Sequence, residues 1–348
     1  MAAKWIVSLA AICFLAPAAF PQQARDISSA GPGRASARKQ LPAPTQWKIT
    51  DVPVRPIFGN VVCGPSLSLY FREQSSTQNP LQAPVTRLTQ DGKSTTFDLT
   101  NIPEAGGHAY IFAFGVDALG GIYAIAQGHD GASYLASYDR QGRYLGAAPL
   151  QQSVRASFLL PINNTRFLLA GMMPPRKGGD ANPASLIALI DSQGTTLKSL
   201  AGPEESKSGS FLPASHRFFN PAVELGAARV GSDGYVYLFK ASATPQVQVL
   251  DSSGSLVRGL HLAVPAPGAQ AFDFFLIGKS IAAVYQIDSQ SADNGRQIVG
   301  LYDDVTGEPL MTLAKDAPGI LACSQGSTLA VLRPLPNHFF ALGKVSLN

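Results

Sequence analysis

The sequence predicts an all-β fold in which six four-stranded antiparallel sheets form the blades of a β-propeller. The first observation is a repeated hairpin signal, because Asp and Gly tolerate the dihedral angles of tight strand reversals. The second is its period, since the turn glycines are 50, 52, 60 and 53 residues apart and such spacing indicates a repeat architecture. The turns lie at Asp91 and Gly92, Asp139 and Gly142, Asp191 and Gly194, Asp251 and Gly254, and Asp303 and Gly307.

The third observation is a second apolar hairpin upstream of each Asp–Gly turn, which brings each repeat to four strands. A helical solenoid would need a 3.6-residue period, and no convincing stretch of it occurs. A doubly wound fold would need helices between strands, and the connections are too short or too rich in Pro and Gly for them. The predicted first hairpins pair residues 60–63 with 67–71, 112–117 with 122–126, 158–160 with 167–170, 227–230 with 235–239, 274–277 with 281–285, and 320–323 with 329–332.

The sixth repeat is incomplete, because its third strand runs from about residue 339 to 347 and the chain then stops. Residues 46–53 resemble the predicted fourth strands at 96–103 and 257–265. A strand supplied there by the N-terminal part of the chain would cover an otherwise open sheet edge. We therefore predict that residues 46–53 complete the last blade.

The N-terminal residues predict export. Lys4 is followed by an apolar run over 5–15 that is too short to span a bilayer, and Ala16 and Ala18 suit a signal peptidase. We expect a signal peptide over 1–18, a disordered tether over 19–45 and a single propeller domain over 46–348. No later stretch predicts a transmembrane helix, so the expected location is periplasmic or extracellular.

The distribution of charge argues against a nucleic-acid partner. The chain carries 27 Lys and Arg against 23 Asp and Glu, a net charge of +4. Residues 1–48 hold six of the basic groups and one acidic group, which leaves 21 against 22 in residues 49–348. A nucleic-acid-binding face needs an excess of basic side chains to neutralise phosphates, and this body has none in bulk.

Two segments carry a resemblance to known proteins. Residues 116–123 (VDALGGIY) followed by 138–142 (YDRQG) resemble the blade pattern of NHL-type and related six-bladed propellers, and 230–237 followed by 249–254 is a weaker copy. Some six-bladed propellers are calcium-dependent lactonases with carboxylate and Asn ligands in the channel. That resemblance implies Glu224, Asp273 and Asp288 as the residues that a calcium site would recruit.

Cys63 and Cys323 occupy matching positions in the first and last blades, which become neighbours when the ring closes. An oxidising compartment permits a disulfide between them. The alternative is a pair of buried thiols whose Cα atoms lie beyond the roughly 7 Å that a bridge tolerates.

The longer connections predict the binding face. In a propeller the turns within each hairpin lie on one face, and the connections at 72–84, 171–183, 202–221 and 286–296 lie on the other, where functional residues concentrate. Two aromatic clusters adjoin these connections. Because aromatic residues and Arg are enriched at binding hot spots, we predict a ligand site between blades 4 and 5, although packing of the Phe rings between blades is an alternative. Its residues are His216, Arg217, Phe218, Phe219, Phe272 and Asp273.

No G-x-S-x-G, H-E-x-x-H, P-loop or G-x-G-x-x-G motif is present. The leading hypothesis is therefore an exported, non-catalytic propeller that needs no cofactor and binds a protein or glycan partner through its long-loop face. The alternative is a calcium-dependent hydrolase, lactonase or lyase with its site at the mouth of the channel.

Overall fold

Six four-stranded antiparallel sheets, five formed by consecutive strands and the sixth completed by an N-terminal strand, confirm the predicted six-bladed β-propeller. The first strands of neighbouring blades contact one another, which places them around the central axis. All described residues belong to one unit spanning 38–348. The computed structural model describes residues 39–44, 46–53, 57–73, 79–174, 184–201, 227–241, 244–287, 297–315 and 319–347.

The first three blades follow the chain without interruption. Blade 1 contains β3 (Ile57–Cys63), β4 (Leu69–Glu73), β5 (Val85–Leu88) and β6 (Ser94–Phe97). A two-stranded ribbon, β7 (Asn101–Ile102) and β8 (Gly107–His108), comes next. Blade 2 contains β9 (Tyr110–Val116), β10 (Ile122–Gln127), β11 (Ser133–Tyr138) and β12 (Tyr144–Pro149). Blade 3 contains β13 (Arg155–Pro161), β14 (Arg166–Met173), β15 (Ala184–Asp191) and β16 (Thr196–Ala201).

The other three blades include both ends of the described chain. Blade 4 contains β17 (Ala227–Val230), β18 (Val236–Lys240), β19 (Gln246–Leu250) and β20 (Leu256–His261). Blade 5 contains β21 (Ala269–Ile277), β22 (Ser280–Ile287), β23 (Gln297–Asp303) and β24 (Pro309–Lys315), with β1 (Lys39–Gln40) at its edge. Blade 6 contains β25 (Ile320–Gln325), β26 (Thr328–Pro334), β27 (Phe339–Ser346) and β2 (Trp47–Pro53). Short 3₁₀ helices span Pro65–Leu67, Pro80–Gln82 and Pro103–Ala105.

The core consists of six clusters of buried side chains, one at each boundary between neighbouring blades. Each sheet therefore buries both faces against its neighbours. This explains why charged residues make up only 14% of the chain, against about 25% in typical globular domains. None of the described helices has the length and apolar character needed to span a membrane.

The repeated Asp and Gly have two separate tasks in each outer turn. The Oδ1 atom of Asp139 accepts hydrogen bonds from the backbone N–H groups of Gln141 and Arg143, both at 2.9 Å, and thereby closes the turn. Gly194, with φ 75°, lies so close to the carbonyl of Pro149 in the preceding blade that a Cβ atom would collide with it. Gly194 thus adopts the left-handed conformation of the turn without a steric penalty, and its missing side chain lets the two blades approach closely.

The N-terminal strand closes the ring as predicted. β2 pairs antiparallel with β27, with Trp47 opposite Gly343 and Ile49 opposite Ala341. The turn glycine of blade 1, Gly92, packs against the carbonyl of Ile49, as Gly194 packs against that of Pro149. β2 is therefore the fourth strand of blade 6 both by its pairing and by its contact with the next blade.

The described chain begins at Lys39, within the segment that the sequence predicts as a tether. Lys39 and Gln40 pair in parallel with Leu313 and Ala314 of blade 5, and the side chain of Leu41 is buried in the cluster between blades 5 and 6. Burial of this apolar side chain gives the segment a reason to dock. The predicted signal peptide and residues 19–38 lie outside the described part of the chain.

Candidate functional site

Phe272 lies on β21, the inner strand of blade 5, where the pairing with β22 shifts by one residue between Ala271 and Asp273. Phe272 is the extra residue of this β-bulge, and its side chain is 37% exposed. Bulges redirect a side chain away from the regular alternation of a strand. Phe274 and Phe275, in contrast, are fully buried between blades, so the alternative of interblade packing holds for them and not for Phe272.

Asp273 forms an ion pair with Arg229 on β17, the inner strand of blade 4. The Nη2 atom of Arg229 lies 3.1 Å from Oδ1 of Asp273, and both side chains remain partly exposed, at 23% and 29%. The same carboxylate accepts a hydrogen bond from the backbone N–H of Phe274, and Arg229 also donates to the carbonyl of Ala228. The pair thus joins the inner strands of two blades.

The surroundings of the pair are apolar. The guanidinium carbon of Arg229 lies 5.6 Å from the ring centroid of Phe274 and 5.5 Å from that of Phe275, within cation–π range. Burial raises the pKa of the Asp273 carboxyl, while the charge of Arg229 and the Phe274 N–H offset part of that rise. Keeping the Asp273 carboxylate ionised therefore costs free energy, because part of its hydration is lost.

A small cavity opens beside Phe272, toward blade 6. Its volume of about 20 Å³ admits a single water molecule. Ile320, at the start of the inner strand of blade 6, is 56% exposed and forms part of the wall. The arrangement is a shallow notch with two exposed apolar side chains at its rim. The lining residues are Phe272, Asp273, Phe275, Val284, Gln297, Ile320 and Leu321.

The bulge recurs in other inner strands. Phe112 in blade 2, Ser157 in blade 3 and Ala322 in blade 6 are the extra residues at equivalent register shifts. All three are less exposed than Phe272. The repeat architecture therefore supplies the bulge, and blade 5 combines it with an exposed aromatic ring next to an ion pair.

The structure brings Phe272 and Asp273 into one site and adds Arg229, which the sequence reasoning missed. The available signal was a charged residue within the otherwise apolar inner strand predicted at 227–230. His216, Arg217, Phe218 and Phe219 lie outside the described residues, as do Glu224 and Asp288.

Asp273, one of the residues that the resemblance implies for a calcium site, directs its Oδ1 atom at the guanidinium of Arg229 and the backbone N–H of Phe274. Calcium takes six to eight oxygen ligands in proteins. Within the ranges that the structure describes, no three His, Cys, Asp or Glu side chains are grouped so that they could hold a metal ion.

Cys63 on β3 and Cys323 on β25 lie side by side at the boundary between blades 6 and 1. Their Cα atoms are 5.4 Å apart, inside the range that a disulfide tolerates. Cys323 is fully buried.

No family model matches the chain, and no curated protein matches it. Among solved structures, it is similar to a protein of unknown function from Bacteroides caccae, with 13% identity and a TM-score of 0.44 over 81% of this chain and 87% of that one. It is also similar to a subtype N10 neuraminidase-like protein of A/little yellow-shouldered bat/Guatemala/060/2010, with 8% identity and a TM-score of 0.46 over 88% and 98%.

Proposed function

We propose that the protein is an exported, non-catalytic β-propeller that binds a protein or glycan partner through its long-loop face. The observation that carries this proposal is the exposed ring of Phe272 on a bulge beside the Arg229–Asp273 pair. Phe272 lies in the first half of β21, the half nearer the connection from blade 4, and this connection belongs to the long-loop face.

The chemistry of the notch suits a macromolecular partner. The notch offers the ring of Phe272 and the carboxylate of Asp273, and Arg229 contacts that carboxylate from blade 4. Aromatic side chains and arginine are enriched at binding hot spots, and a carboxylate supplies a polar group that can orient a ligand. Small-molecule sites usually enclose about 300–1,000 Å³, whereas the cavity here holds about 20 Å³. A surface of this shape contacts a ligand that extends beyond it and does not enclose a small substrate.

The scaffold also supports a binding role. The strands of Phe272, Asp273 and Arg229 also contribute buried side chains, Phe274 and Ala227 among them, to the core between blades 4 and 5, so these positions are fixed before a ligand arrives. Export is supported by the sequence over 1–18. The near-neutral charge of residues 49–348 favours a protein or glycan over a nucleic acid.

The test compares two exposed apolar residues on opposite faces. The mature protein is screened on a glycan array and against a displayed peptide library, and the affinity of each hit is measured by calorimetry. Phe272→Ala should weaken binding about 30-fold, the effect of losing a 2 kcal/mol hot spot. Leu119→Ala is the matched control, because Leu119 is 84% exposed in a tight turn of blade 2 and should leave the affinity unchanged.

Both variants should remain folded at the assay temperature, since neither side chain belongs to the fully buried core. Binding that survives Phe272→Ala, or that is lost only in Leu119→Ala, would show that the partner uses another face.

A further inference from the structure

The two ends of the row of blades meet at the boundary between blades 6 and 1, here called the seam. Blade 6 takes its fourth strand from the N-terminal part of the chain, and the chain then continues into β3 of blade 1. At the outer edge, the N- and C-terminal parts of the ring are therefore joined through the pairing of β2 with β27. This pairing consists of backbone hydrogen bonds, which can break and re-form, and it is not a covalent link.

Residues 39–44 and 46–53, here called the strap, dock on blades 5 and 6, and their strand β2 forms the outer edge of blade 6 next to the seam. Leu41 is buried between blades 5 and 6, and Gly343 lacks a side chain where Pro44 and the ring of Trp47 pack against it. The guanidinium carbon of Arg333 on blade 6 lies 4.1 Å from the centroid of the Trp47 ring, within cation–π range.

The inner edge of the same seam carries the two cysteines. Cys63 stands on the inner strand of blade 1 and Cys323 on that of blade 6, 260 residues apart in sequence and 5.4 Å apart at Cα. Cys323 belongs to the apolar cluster shared by both blades, against which Cys63 packs. A covalent bond here would connect the two parts of the ring directly, without passing through the strap.

We propose that Cys63 and Cys323 form a disulfide in the exported protein and that this bridge and the strap hold the seam together from its two edges. Each thiol loses one proton and one electron. The electron pair passes to a protein thiol–disulfide oxidant, whose own S–S bond is reduced to two thiols. The inference rests on the proposed export, because a reducing compartment would keep both cysteines as thiols.

The first measurement is the redox state of the protein isolated from the exporting host after acid quenching. Denatured protein treated with a maleimide should carry no label at Cys63 or Cys323 before reduction and one label at each after it, and peptide mass spectrometry should find the two cysteines cross-linked. Labelling of both cysteines without reductant overturns the proposal. The binding proposal would still stand or fall on Phe272→Ala.

The second measurement asks whether bridge and strap hold the same boundary. The Cys63→Ala/Cys323→Ala double variant should melt about 10 °C lower than the oxidised parent, the shift expected for a closed loop of this length. Trp47→Ala should lower the melting temperature further in the double variant than in the oxidised parent, because only the strap then closes the seam.

Tyr138→Phe is the matched control, since it removes a hydrogen bond between blades 1 and 2, at a boundary that the seam does not include. Its effect should be equal in the two backgrounds. If Trp47→Ala also has equal effects in both backgrounds, the bridge does not share the seam with the strap and this part of the inference is wrong.

Discussion

The boundary between blades 1 and 2 and the boundary between blades 4 and 5 are built alike on the outside and differently at the axis. At the outer side, Tyr138 at the end of the third strand of blade 2 donates its hydroxyl to the carbonyl of Leu99, at 2.5 Å. Tyr302 at the same place in blade 5 donates to the carbonyl of Ala263. Both acceptors follow the fourth strand of the preceding blade, so these tyrosines are a repeated structural connection.

Near the axis, each boundary contains an arginine with a different partner. Arg72 is buried and donates to the carbonyls of Ile111 and Phe112 on the inner strand of blade 2, at 2.5 and 3.2 Å. Burial lowers its pKa to about 10. Arg229 instead faces the carboxylate of Asp273, and both remain partly exposed.

The difference separates a structural arginine from the one that belongs to the proposed binding site. Arg72 satisfies carbonyls at a bulge and is itself buried. Arg229 and Asp273 satisfy each other while still presenting part of their surface beside an exposed Phe. An arginine that binds backbone carbonyls, as Arg72 does, needs no buried carboxylate and therefore avoids the cost of desolvating one.

The largest expected effect is that of removing the buried arginine. Arg72→Met should lower the free energy of unfolding by about 3 kcal/mol, because hydrogen bonds to charged groups are worth about 1.5–3 kcal/mol and the carbonyls are left buried without this donor. Arg229→Met should cost less, about 1–2 kcal/mol, because the pair is partly exposed, while the Asp273 carboxylate still loses its countercharge in apolar surroundings. Equilibrium denaturation of both variants measures the contrast, and equal losses would remove the distinction between the two boundaries.

A smaller effect tests the part that the boundaries share. Tyr138→Phe and Tyr302→Phe should each lower the free energy of unfolding by about 1 kcal/mol, the typical net value of one hydrogen bond. Tyr302 should cost somewhat more, because its hydroxyl also lies 2.8 Å from that of Tyr285. The costs should add in the double variant, since the sites share no partner. A negligible cost at one site would show that the outer contacts are not equivalent.

The sequence predicted the fold more fully than the site because the two depend on signals of different range. Turn chemistry and strand period are local, so the six blades and the closing role of residues 46–53 were readable from spacing alone. Phe272 and Asp273 were identified as a cluster. Arg229 was missed because its partner is 44 residues away and meets it only through the stacking of two blades. Docking of the segment around Leu41 likewise depends on a cleft that exists only in the closed ring.

The smallest effect, a change in pH dependence, distinguishes the two kinds of carboxylate in the molecule. Burial raises the pKa of Asp273 in the folded protein above its ordinary value of 3.8. The folded state then binds more protons than the unfolded state between the two pKa values, so this group makes stability fall as pH rises through that interval. Asp273→Asn removes this dependence, and the variant should gain stability relative to the parent as pH rises from about 4 toward 7.

Asp139 is the matched control with the opposite sign. Hydrogen bonds from the Arg143 backbone, then from its side chain and from Gln141, lower the pKa of this turn carboxyl. Its ionised form therefore adds stability above the unfolded pKa that is lost as pH falls through the folded one, and Asp139→Asn should lose stability relative to the parent as pH rises. Thermal melts from pH 3 to 7 measure both differences. If Asp273→Asn follows the same sign as Asp139→Asn, the attraction of Arg229 outweighs burial, and the pair is a closed structural clamp like Arg72.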